Sequence, residues 1–339
     1  MTILNVIQNN QWKSSSFIQS TDVNKLISGG IVTGASEQAS AILNAMDYGN
    51  VQSTMTIGLV DTAWAEQNFG DATDTLASSL EPFFDEYKVK TFYGNQWWAV
   101  RTIQKDLMNS TEPNRLVLNK VGSYWATQWN RIISATVSGM STIAGITVGD
   151  GLTNFSRSMV ISAMTLKGDM GFGKLNEMYM SSATFADQLT KQEIAGVTLF
   201  TQGSKQRTVR VNGVETLVAT NETVWYYDGA TEVVLDDTMT LGIISLISKG
   251  AFAFSQKDLN DPLMYEKTAK AGNGAGKEEY GTKSLYIMHP IGFDFVGVLG
   301  TTYASKSGLT LAELQGGGQY ALKVDAKLSP ITNLKVKVG

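Results

Sequence analysis

The sequence contains no cysteine and a single histidine, His289, among its 339 residues. The missing cysteines exclude disulfide frameworks, thiolate metal sites and cysteine nucleophiles. One histidine leaves no multi-histidine metal site and restricts histidine-dependent catalysis to one position. We therefore expect a protein that is not an enzyme and that holds neither a metal nor a cofactor.

Charge is also scarce. Charged residues make up 17% of the chain, against roughly 25% in an average soluble protein. The 27 basic and 31 acidic side chains give a net charge of −4. Because nucleic-acid binders draw their affinity mainly from a basic face, this balance argues against dedicated nucleic-acid recognition. Hydrophobic residues make up 43% of the chain, which is enough for a sizeable core. The low fraction of charged residues raises the question of what covers the surface of the protein.

Targeting signals are missing as well. The first residues lack the positive stretch and the sustained apolar run of a secretory signal. The longest uncharged stretch, residues 132–149, is interrupted by serines and threonines, whereas a membrane helix needs about 20 mostly apolar residues. We expect no membrane partner, and we expect the protein to be made and to fold in a cytoplasm.

An arm and two strands are predicted in the first hundred residues. Residues 1–45 are polar, with isolated apolar positions, which predicts an extended arm that orders only against another surface. Residues 51–60 and 87–93 alternate between apolar and polar side chains, which predicts two strands. Lys88 and Lys90 fall on the polar side of the second strand.

Between these strands lies a segment with charge of one sign. It contains seven acids and no base: Asp61, Glu66, Asp71, Asp74, Glu81, Asp85 and Glu86. One interpretation is a solvated loop. The other is a long protruding hairpin whose acidic tip docks on a basic surface of another subunit.

A long helix is the clearest single element. Residues 110–113 (Ser-Thr-Glu-Pro) combine a hydroxyl cap, an acid and a proline in the first turn. Apolar positions then recur at spacings of three and four: Val117, Val121, Trp125, Trp129, Ile132, Thr136 and Met140. The resulting helix over 113–140 is about 42 Å long at roughly 1.5 Å per residue. This length favours an architectural spine, although a bundle helix would have the same pattern.

The rest of the chain alternates between helices and strands. Helices are predicted at 156–167 and 182–193, and Asn-Gly at 212–213 and Asp-Gly at 228–229 predict hairpin turns. Residues 238–248 are predicted to be a core segment, either helix or strand. A glycine-rich loop at 271–276 is predicted to join strands near 264–267 and 285–288. Residues 334–338 are predicted to form a terminal strand whose lysines protect a sheet edge from pairing with another chain. The fold class is α+β with mostly antiparallel pairing.

Four patterns that could carry chemistry are interpreted as structural. Residues 271–278 lack the first glycine and the final hydroxyl of a phosphate loop. His289 has one neighbouring carboxylate and no nucleophile, which indicates a histidine fixed at a strand-to-turn transition. The acid pairs 236–237 and 278–279, assigned to polar loops, lack the spacing of a calcium loop. Residues 225–227 (Trp-Tyr-Tyr) are flanked by acids that repel phosphates, so we expect them to pack in a β layer.

The order of these elements resembles the major capsid protein of tailed bacteriophages, the Hong Kong 97-type fold. Five segments carry the resemblance: 124–129 (YWATQW), 176–189 (NEMYMSSATFADQL), 249–251 (KGA), 286–295 (YIMHPIGFDF) and 309–314 (LTLAEL). The His-Pro-x-Gly-Phe core of the fourth segment is the most specific for one subgroup. The matches span residues 110–315, and the hairpin extends the likeness toward residue 50.

Two departures from the family pattern stand out. The family often has an arginine-rich strand before the His-Pro turn, whereas Lys283 is the only base between Tyr280 and His289. The sequence also lacks a long N-terminal extension that would act as a fused scaffold, so the resemblance implies a separate scaffolding protein.

The resemblance implies a domain organisation. It assigns residues 1–45 to an N-terminal arm and 50–100 to an extended hairpin loop. Residues 101–150 and 252–288 form a peripheral domain with the spine helix 113–140. Residues 151–251 and 289–339 form an axial domain.

The resemblance also implies a structural virion protein. Copies of the chain assemble as hexamers and pentamers into an icosahedral head around double-stranded DNA, without sequence-specific binding. The implied partners are the scaffolding protein, a portal and cement proteins, and the implied location is the virion, with assembly in the host cytoplasm. Alternatives are a protein-cage compartment shell of the same fold, a β-rich adhesion or receptor-binding module and, third, an enzyme.

A site hypothesis follows from the one-signed charge. We expect the acidic hairpin to lie over the basic face of a neighbouring spine helix. The candidate contacts are Asp61, Glu66, Asp71, Asp74 and Glu81 on the hairpin, and Arg101, Lys105, Arg115, Lys120 and Arg131 on the neighbour.

Overall fold

A computed structural model of the chain describes residues 31–33, 52–58, 84–101, 112–168, 175, 177–211, 214–257, 263–268, 276–297 and 309–339. The helices are α1 (Glu112–Met140), α2 (Arg157–Thr165), α3 (Ser182–Ala195) and α4 (Leu311–Gln315). The strands are β1 (Val32–Thr33), β2 (Gln52–Gly58), β3 (Phe84–Arg101), β4 (Thr147–Val148), β5 (Glu177–Met180), β6 (Phe200–Val211), β7 (Val214–Tyr227), β8 (Thr231–Leu235), β9 (Ile243–Ile247), β10 (Phe252–Lys257), β11 (Leu263–Thr268), β12 (Lys277–Pro290), β13 (Phe293–Phe295), β14 (Tyr320–Leu322) and β15 (Ile331–Lys335).

The chain has a mixed α/β fold with two large sheets. One sheet has the order β1-β10-β12-β3-β2, with β11 also paired to β12. The other has the order β4-β15-β9-β5-β8-β7-β6, and β13 pairs with β14 separately. Parallel pairing is limited to β1–β10, β4–β15 and β5–β8 among the described strands. The predicted α+β class with mostly antiparallel pairing is confirmed at this level.

Helix α1 contributes to one core with both sheets. Its start and end agree with the predicted helix over 113–140. The Trp129 ring packs 5.0 Å from Phe254 and 5.9 Å from Tyr286 of the first sheet, measured between ring centroids. Toward the second sheet, the Asn333 side-chain amide donates to the carbonyl of Val137 at 3.0 Å. The apolar stripe and the buried hydroxyls of residues 132–141 thus fit a helix that is covered on most sides.

A second core lies under the two short helices. Rings of Phe155, Phe185, Phe200 and Tyr227 pack with centroid separations between 5.1 and 5.9 Å. The predicted helices are confirmed: α2 follows Ser156, and the Ser181 hydroxyl accepts from the Thr184 amide at the start of α3. Large aromatic side chains bury much apolar area, so this cluster fixes the helices on the seven-stranded sheet.

Turn chemistry agrees with the sequence. Asp228 and Gly229 have φ values of 49° and 76°, and the Ala230 amide donates to the Tyr227 carbonyl, which makes the predicted type I′ turn. The two residues of the Asn-Gly turn, 212–213, lie outside the described residues, but the strands on either side pair as predicted. The sequence predicted a core segment at 238–248 that is either a helix or a strand. The structure shows that this segment contains the strand β9.

One prediction about the end of the chain is wrong for the described residues. The terminal strand β15 is not at an edge, because it pairs with both β4 and β9. Its neighbour β4 has only two residues, too short to leave a sequence pattern. Within the predicted arm, β1 pairs with β10 and follows the fully buried Ile31, so this short part of the arm packs against its own chain. The remaining residues of the arm, 1–30 and 34–45, lie outside the described residues.

In the part of the chain that the structure describes, no helix has both the length and the apolar character needed to cross a membrane.

Candidate functional site

Strands β2 and β3 form a hairpin that extends beyond the rest of the first sheet. Residues 84–90 of β3 pair with β2, and residues 91–101 pair with β12. Strand β3 therefore changes its partner between Lys90 and Thr91, so its first seven residues and β2 form a two-stranded stem. The predicted strands are confirmed, and the second is longer than predicted. The acids Asp61, Glu66, Asp71, Asp74 and Glu81 lie outside the described residues.

The predicted basic residues do not all share one face. Arg101 ends β3 opposite Lys277, and Lys105 lies outside the described residues. The other three belong to α1. At 3.6 residues per turn, Lys120 and Arg131 lie about 20° apart around the helix, whereas Arg115 is about 140° from Lys120. The side chain of Arg131 is exposed. On the helix, the basic face thus reduces to Lys120 and Arg131.

Lys90 is a residue that the sequence pattern placed wrongly. It was expected on the polar side of a half-exposed strand, but it is only 1% exposed. Residues 89–92 are buried on both faces of β3, so period-two alternation fails there. The Lys90 ammonium group has no hydrogen-bond partner within the described structure, and burial lowers the pKa of Lys90 to about 8. A buried amine without a hydrogen-bond partner is costly, so we expect Lys90, which has none among the described residues, to destabilise the fold.

His289 is buried near the end of β12, beside the turn at Ile291 and Gly292. Burial lowers its pKa to about 4, so the imidazole is neutral at neutral pH. Its ring centroid lies 6.2 Å from that of Tyr320. The strand-to-turn placement is confirmed.

The acid pairs occupy two different settings. Asp236 follows β8 and accepts hydrogen bonds from the Asn130 amide at 2.5 Å and from Thr238. Glu278 and Glu279 lie on β12, so their assignment to a polar loop is wrong. The Tyr280 hydroxyl donates to Glu278 at 2.8 Å, and Lys277 lies 2.8 Å from Glu279. Each of these three carboxylates has a protein donor or an ion-pair partner, and the described residues hold no cluster of three or more possible metal ligands.

The remaining patterns agree with their structural interpretation. Residues 225–227 lie in β7, where the Trp225 ring packs 5.2 Å from Phe185. Strands β11 and β12 flank the glycine-rich segment and pair antiparallel, so a strand follows it where a phosphate loop needs a helix. Residues 271–275 of that segment lie outside the described residues.

Sequence reasoning missed a pair of acids inside the second sheet. Glu177 and Glu232 are register partners on the parallel strands β5 and β8. The Tyr179 hydroxyl donates to Glu177, and Lys205 forms a 2.5 Å ion pair with Glu232. Burial and the nearby Glu177 charge raise the pKa of Tyr179, so its hydroxyl stays a donor. Only the sheet register brings these residues together, which is why no sequence spacing indicates the pair.

Comparison with known proteins gives similarities of structure only. No family model matches the sequence, and no curated protein matches it. The chain is similar to the capsid of an empty GTA particle, with 11% identity, coverage of 93% of this chain and 90% of that chain, and a TM-score of 0.49. It is similar to the satellite phage P4 procapsid, with 8% identity, coverage of 98% and 91%, and a TM-score of 0.48. It is also similar to the holo-SrpI encapsulin complex from Synechococcus elongatus PCC 7942, with 11% identity, coverage of 92% and 87%, and a TM-score of 0.44.

Proposed function

We propose that this chain is the major capsid protein of a tailed bacteriophage, with the Hong Kong 97-type fold and in the His-Pro-x-Gly-Phe subgroup. One observation carries the proposal: the five resembling segments follow one another in the family order, and the long helix stands at its expected place among them. The 29-residue helix α1 contains the aromatic segment 124–129, and β12 contains the His-Pro pair. Copies of the chain tile an icosahedral head that encloses double-stranded DNA.

The proposed domains follow the chain order. Residues 1–45 are the arm and 50–100 the extended hairpin loop. Residues 101–150 and 252–288 form the peripheral domain around α1. Residues 151–251 and 289–339 form the axial domain, in which copies meet around the centre of a hexamer or pentamer.

Exposed apolar side chains support a protein that works by contact. Leu152 is 77% exposed and Ile194 is 82% exposed, while Tyr93 and Trp97 stand on one face of β3 at 57% and 40%. Large apolar groups in water favour association with another surface. In a shell these groups become buried between copies, which also accounts for the low charge of the chain.

The proposed contact of the hairpin is electrostatic. The acids Asp61, Glu66, Asp71, Asp74 and Glu81 of one copy lie over a basic surface of the next. The candidates on that surface are Arg101, Lys105, Arg115, Lys120 and Arg131, of which Lys120 and Arg131 share a helix face.

The proposed partners are a separate scaffolding protein, a portal and cement proteins. The chain encloses DNA without reading its sequence, because a motor-packed genome requires only that the inner wall does not trap it. The proposed location is the virion, after assembly in the host cytoplasm.

Electron microscopy of the overexpressed protein, alone and with a candidate scaffold, tests this function. Closed shells or rings of five and six copies are the expected result. Discrete trimers would instead indicate an adhesion or receptor-binding module, and a monomer would contradict any shell. Particles that hold host protein and no nuclease-protected DNA during infection would identify a compartment shell.

A further inference from the structure

The first sheet has one face against α1 and one face turned away from it. A Cβ atom at Gly94 of β3 would lie 2.9 Å from the Trp125 ring, and the Trp125 indole donates to the Thr282 hydroxyl of β12 at 3.1 Å. Because successive side chains alternate between the faces of a strand, the odd-numbered residues of β3 and β12 point away from α1. One end of this second face is covered within the chain, where His289 packs beside Tyr320.

The rest of the second face is exposed and has an aromatic centre. Its central row consists of the register partners Trp97 on β3, Gly281 on β12 and Met264 on β11, which share one face. A Cβ atom at Gly281 would lie 2.6, 2.7 and 2.8 Å from three carbon atoms of the Trp97 indole, so the ring lies flat over the glycine. Its other side is turned outward, and Tyr93 on the same face is 57% exposed. We call this surface the aromatic face and define it by Tyr93, Trp97, Met264, Glu266, Gly281 and Lys283.

Two charges of opposite sign lie on either side of the central row. Lys283, the register partner of Asn95, is two residues away in one direction along the strands. Glu266, the register partner of Glu279, is two residues away in the other direction. Within the described part of the chain, neither Lys283 nor Glu266 forms an ion pair, whereas Glu279 is paired with Lys277 at 2.8 Å. The aromatic face therefore combines an apolar centre with one unpaired cation and one unpaired anion.

This arrangement of charges is complementary to itself. A two-fold axis that runs through the central row, parallel to the sheet and across its strands, reverses the strand direction between two copies. The row of Lys283 in one copy would then lie over the row of Glu266 in the other, on both sides of the Trp97 rings. Two copies stacked without this reversal would place Lys283 over Lys283, and like charges repel each other. Self-complementarity is what an isologous contact between identical chains requires.

We propose that the aromatic face of one copy packs against the aromatic face of a second copy of this chain across a two-fold axis. The inference rests on the proposed function and adds to it a contact between like surfaces of two subunits. A central tryptophan surrounded by polar groups is also the arrangement that carries most of the binding energy in protein interfaces.

The size of the aromatic face places this contact inside a larger assembly. Three strands about 4.8 Å apart and seven residues long, at roughly 3.3 Å per residue, cover about 300 Å². A stable interface buries about 800 Å² on each partner. The contact therefore forms together with other contacts of a shell, and its test belongs in assembled particles.

Cross-linking tests the contact and its symmetry. The chain has no cysteine, so introduced cysteines are the only thiols. The rotation places position 95 of one copy over position 99 of the other, and packed sheets lie about 10 Å apart, too far for a disulfide but within reach of a short bismaleimide. Particles assembled from equal amounts of Asn95→Cys and Ala99→Cys chains should yield linked dimers that mass spectrometry identifies as 95–99 links.

A second mixture controls for random linking. Ile194 is 82% exposed and lies on α3, away from the aromatic face. Particles assembled from Asn95→Cys and Ile194→Cys chains should yield no 95–194 links above the background of unmixed chains. If 95–99 links are no more frequent than 95–194 links, the proposal is overturned.

Exchange of the two charges tests the partner independently. Lys283→Glu and Glu266→Lys should each lower particle yield about fivefold at low salt, because like charges then face each other in the contact. The variant Lys283→Glu/Glu266→Lys restores opposite charges and should recover the wild-type yield. Circular dichroism establishes that each variant folds. Normal yields of the folded single variants, or no recovery in the folded double variant, overturn the proposal.

The two proposals fail separately. If the wild type forms shells without 95–99 links, the inference fails and the proposed function stands. If the wild type forms only dimers that show these links, the contact stands and the shell function fails. A strictly monomeric wild type overturns both.

Discussion

The indole ring of Trp97 lies against the backbone of Gly281, its register partner across the β3–β12 pair. A Cβ atom at Gly281 would come within 2.6 Å of the ring. Because Trp97 is 40% exposed, the glycine holds a large aromatic side chain flat on the outer face of the sheet.

Gly281→Ala should displace this ring and destabilise the fold by about 1–3 kcal/mol, the usual cost of overpacking. Urea unfolding followed by circular dichroism measures the loss, and near-ultraviolet dichroism reports the moved indole. In the background Trp97→Ala the same substitution should cost much less, because the obstructing ring is gone. Equal costs in the two backgrounds would contradict the proposed packing.

Gly139→Ala should be more damaging. A Cβ atom at position 139 would lie 1.9 Å from the carbonyl oxygen of Leu314, where α4 approaches α1. Backbone cannot rotate away as a side chain can, so we expect a loss of at least about 3 kcal/mol in the free energy of unfolding. Ser138→Ala is the matched control on the same helix, since the buried Ser138 hydroxyl has no partner within the described residues. Denaturant unfolding should show little change for Ser138→Ala, and equal losses would contradict the close approach.

Lys90→Met should stabilise the protein by roughly 1–3 kcal/mol at pH 7, because it removes a buried amine that has no hydrogen-bond partner among the described residues. Lys167 is the matched control. It is also buried, with a pKa lowered to about 8 by burial, but its ammonium group donates to the carbonyls of Ala326 and Ile331 at 2.8 and 3.1 Å. Lys167→Met should therefore destabilise the protein. Thermal unfolding of both variants checks the opposite signs, and a loss of stability in Lys90→Met would contradict the prediction.

The gain from Lys90→Met should depend on pH. Burial lowers the pKa of Lys90 from 10.5 to about 8, so the unfolded chain binds this proton more tightly than the folded chain. The cost of burying the amine is fully present below pH 8 and falls as the pH rises toward 10.5. The stability difference between Lys90→Met and the wild type should shrink over that interval. A difference that stays constant would exclude Lys90 titration as its source.

Reversal of two hairpin acids tests the proposed electrostatic contact. Asp71→Lys/Asp74→Lys should impair shell formation at moderate salt, because the hairpin then repels the basic surface of the next copy. Glu193→Lys/Asp237→Lys changes the net charge equally at two exposed positions and serves as the control. Particle yield by sedimentation and electron microscopy measures the effect. Normal particles from the Asp71/Asp74 variant would refute the contact.

Local signals in the sequence were sufficient for several elements. The capping residues at 110–113 and the three-and-four spacing placed α1, and Asp-Gly placed the turn at 228–229. These features depend on neighbouring residues, because a cap or a positive φ value is decided within a few positions of the chain. The absence of cysteine and the single histidine likewise excluded disulfides, thiolate metal sites and multi-histidine metal sites before any contact was known.

Tertiary structure alone decided where strands meet. It buried Lys90 on a strand whose sequence pattern predicts a half-exposed strand. It also aligned Glu177 with Glu232, and it placed β15 inside its sheet because the two residues of β4 pair with it. It also showed that β8 pairs with β7 only at residues 225–227. Burial and register depend on residues far apart in the chain, so the sequence by itself determined the elements and their charges, and only the packed sheets decided which surfaces remain open.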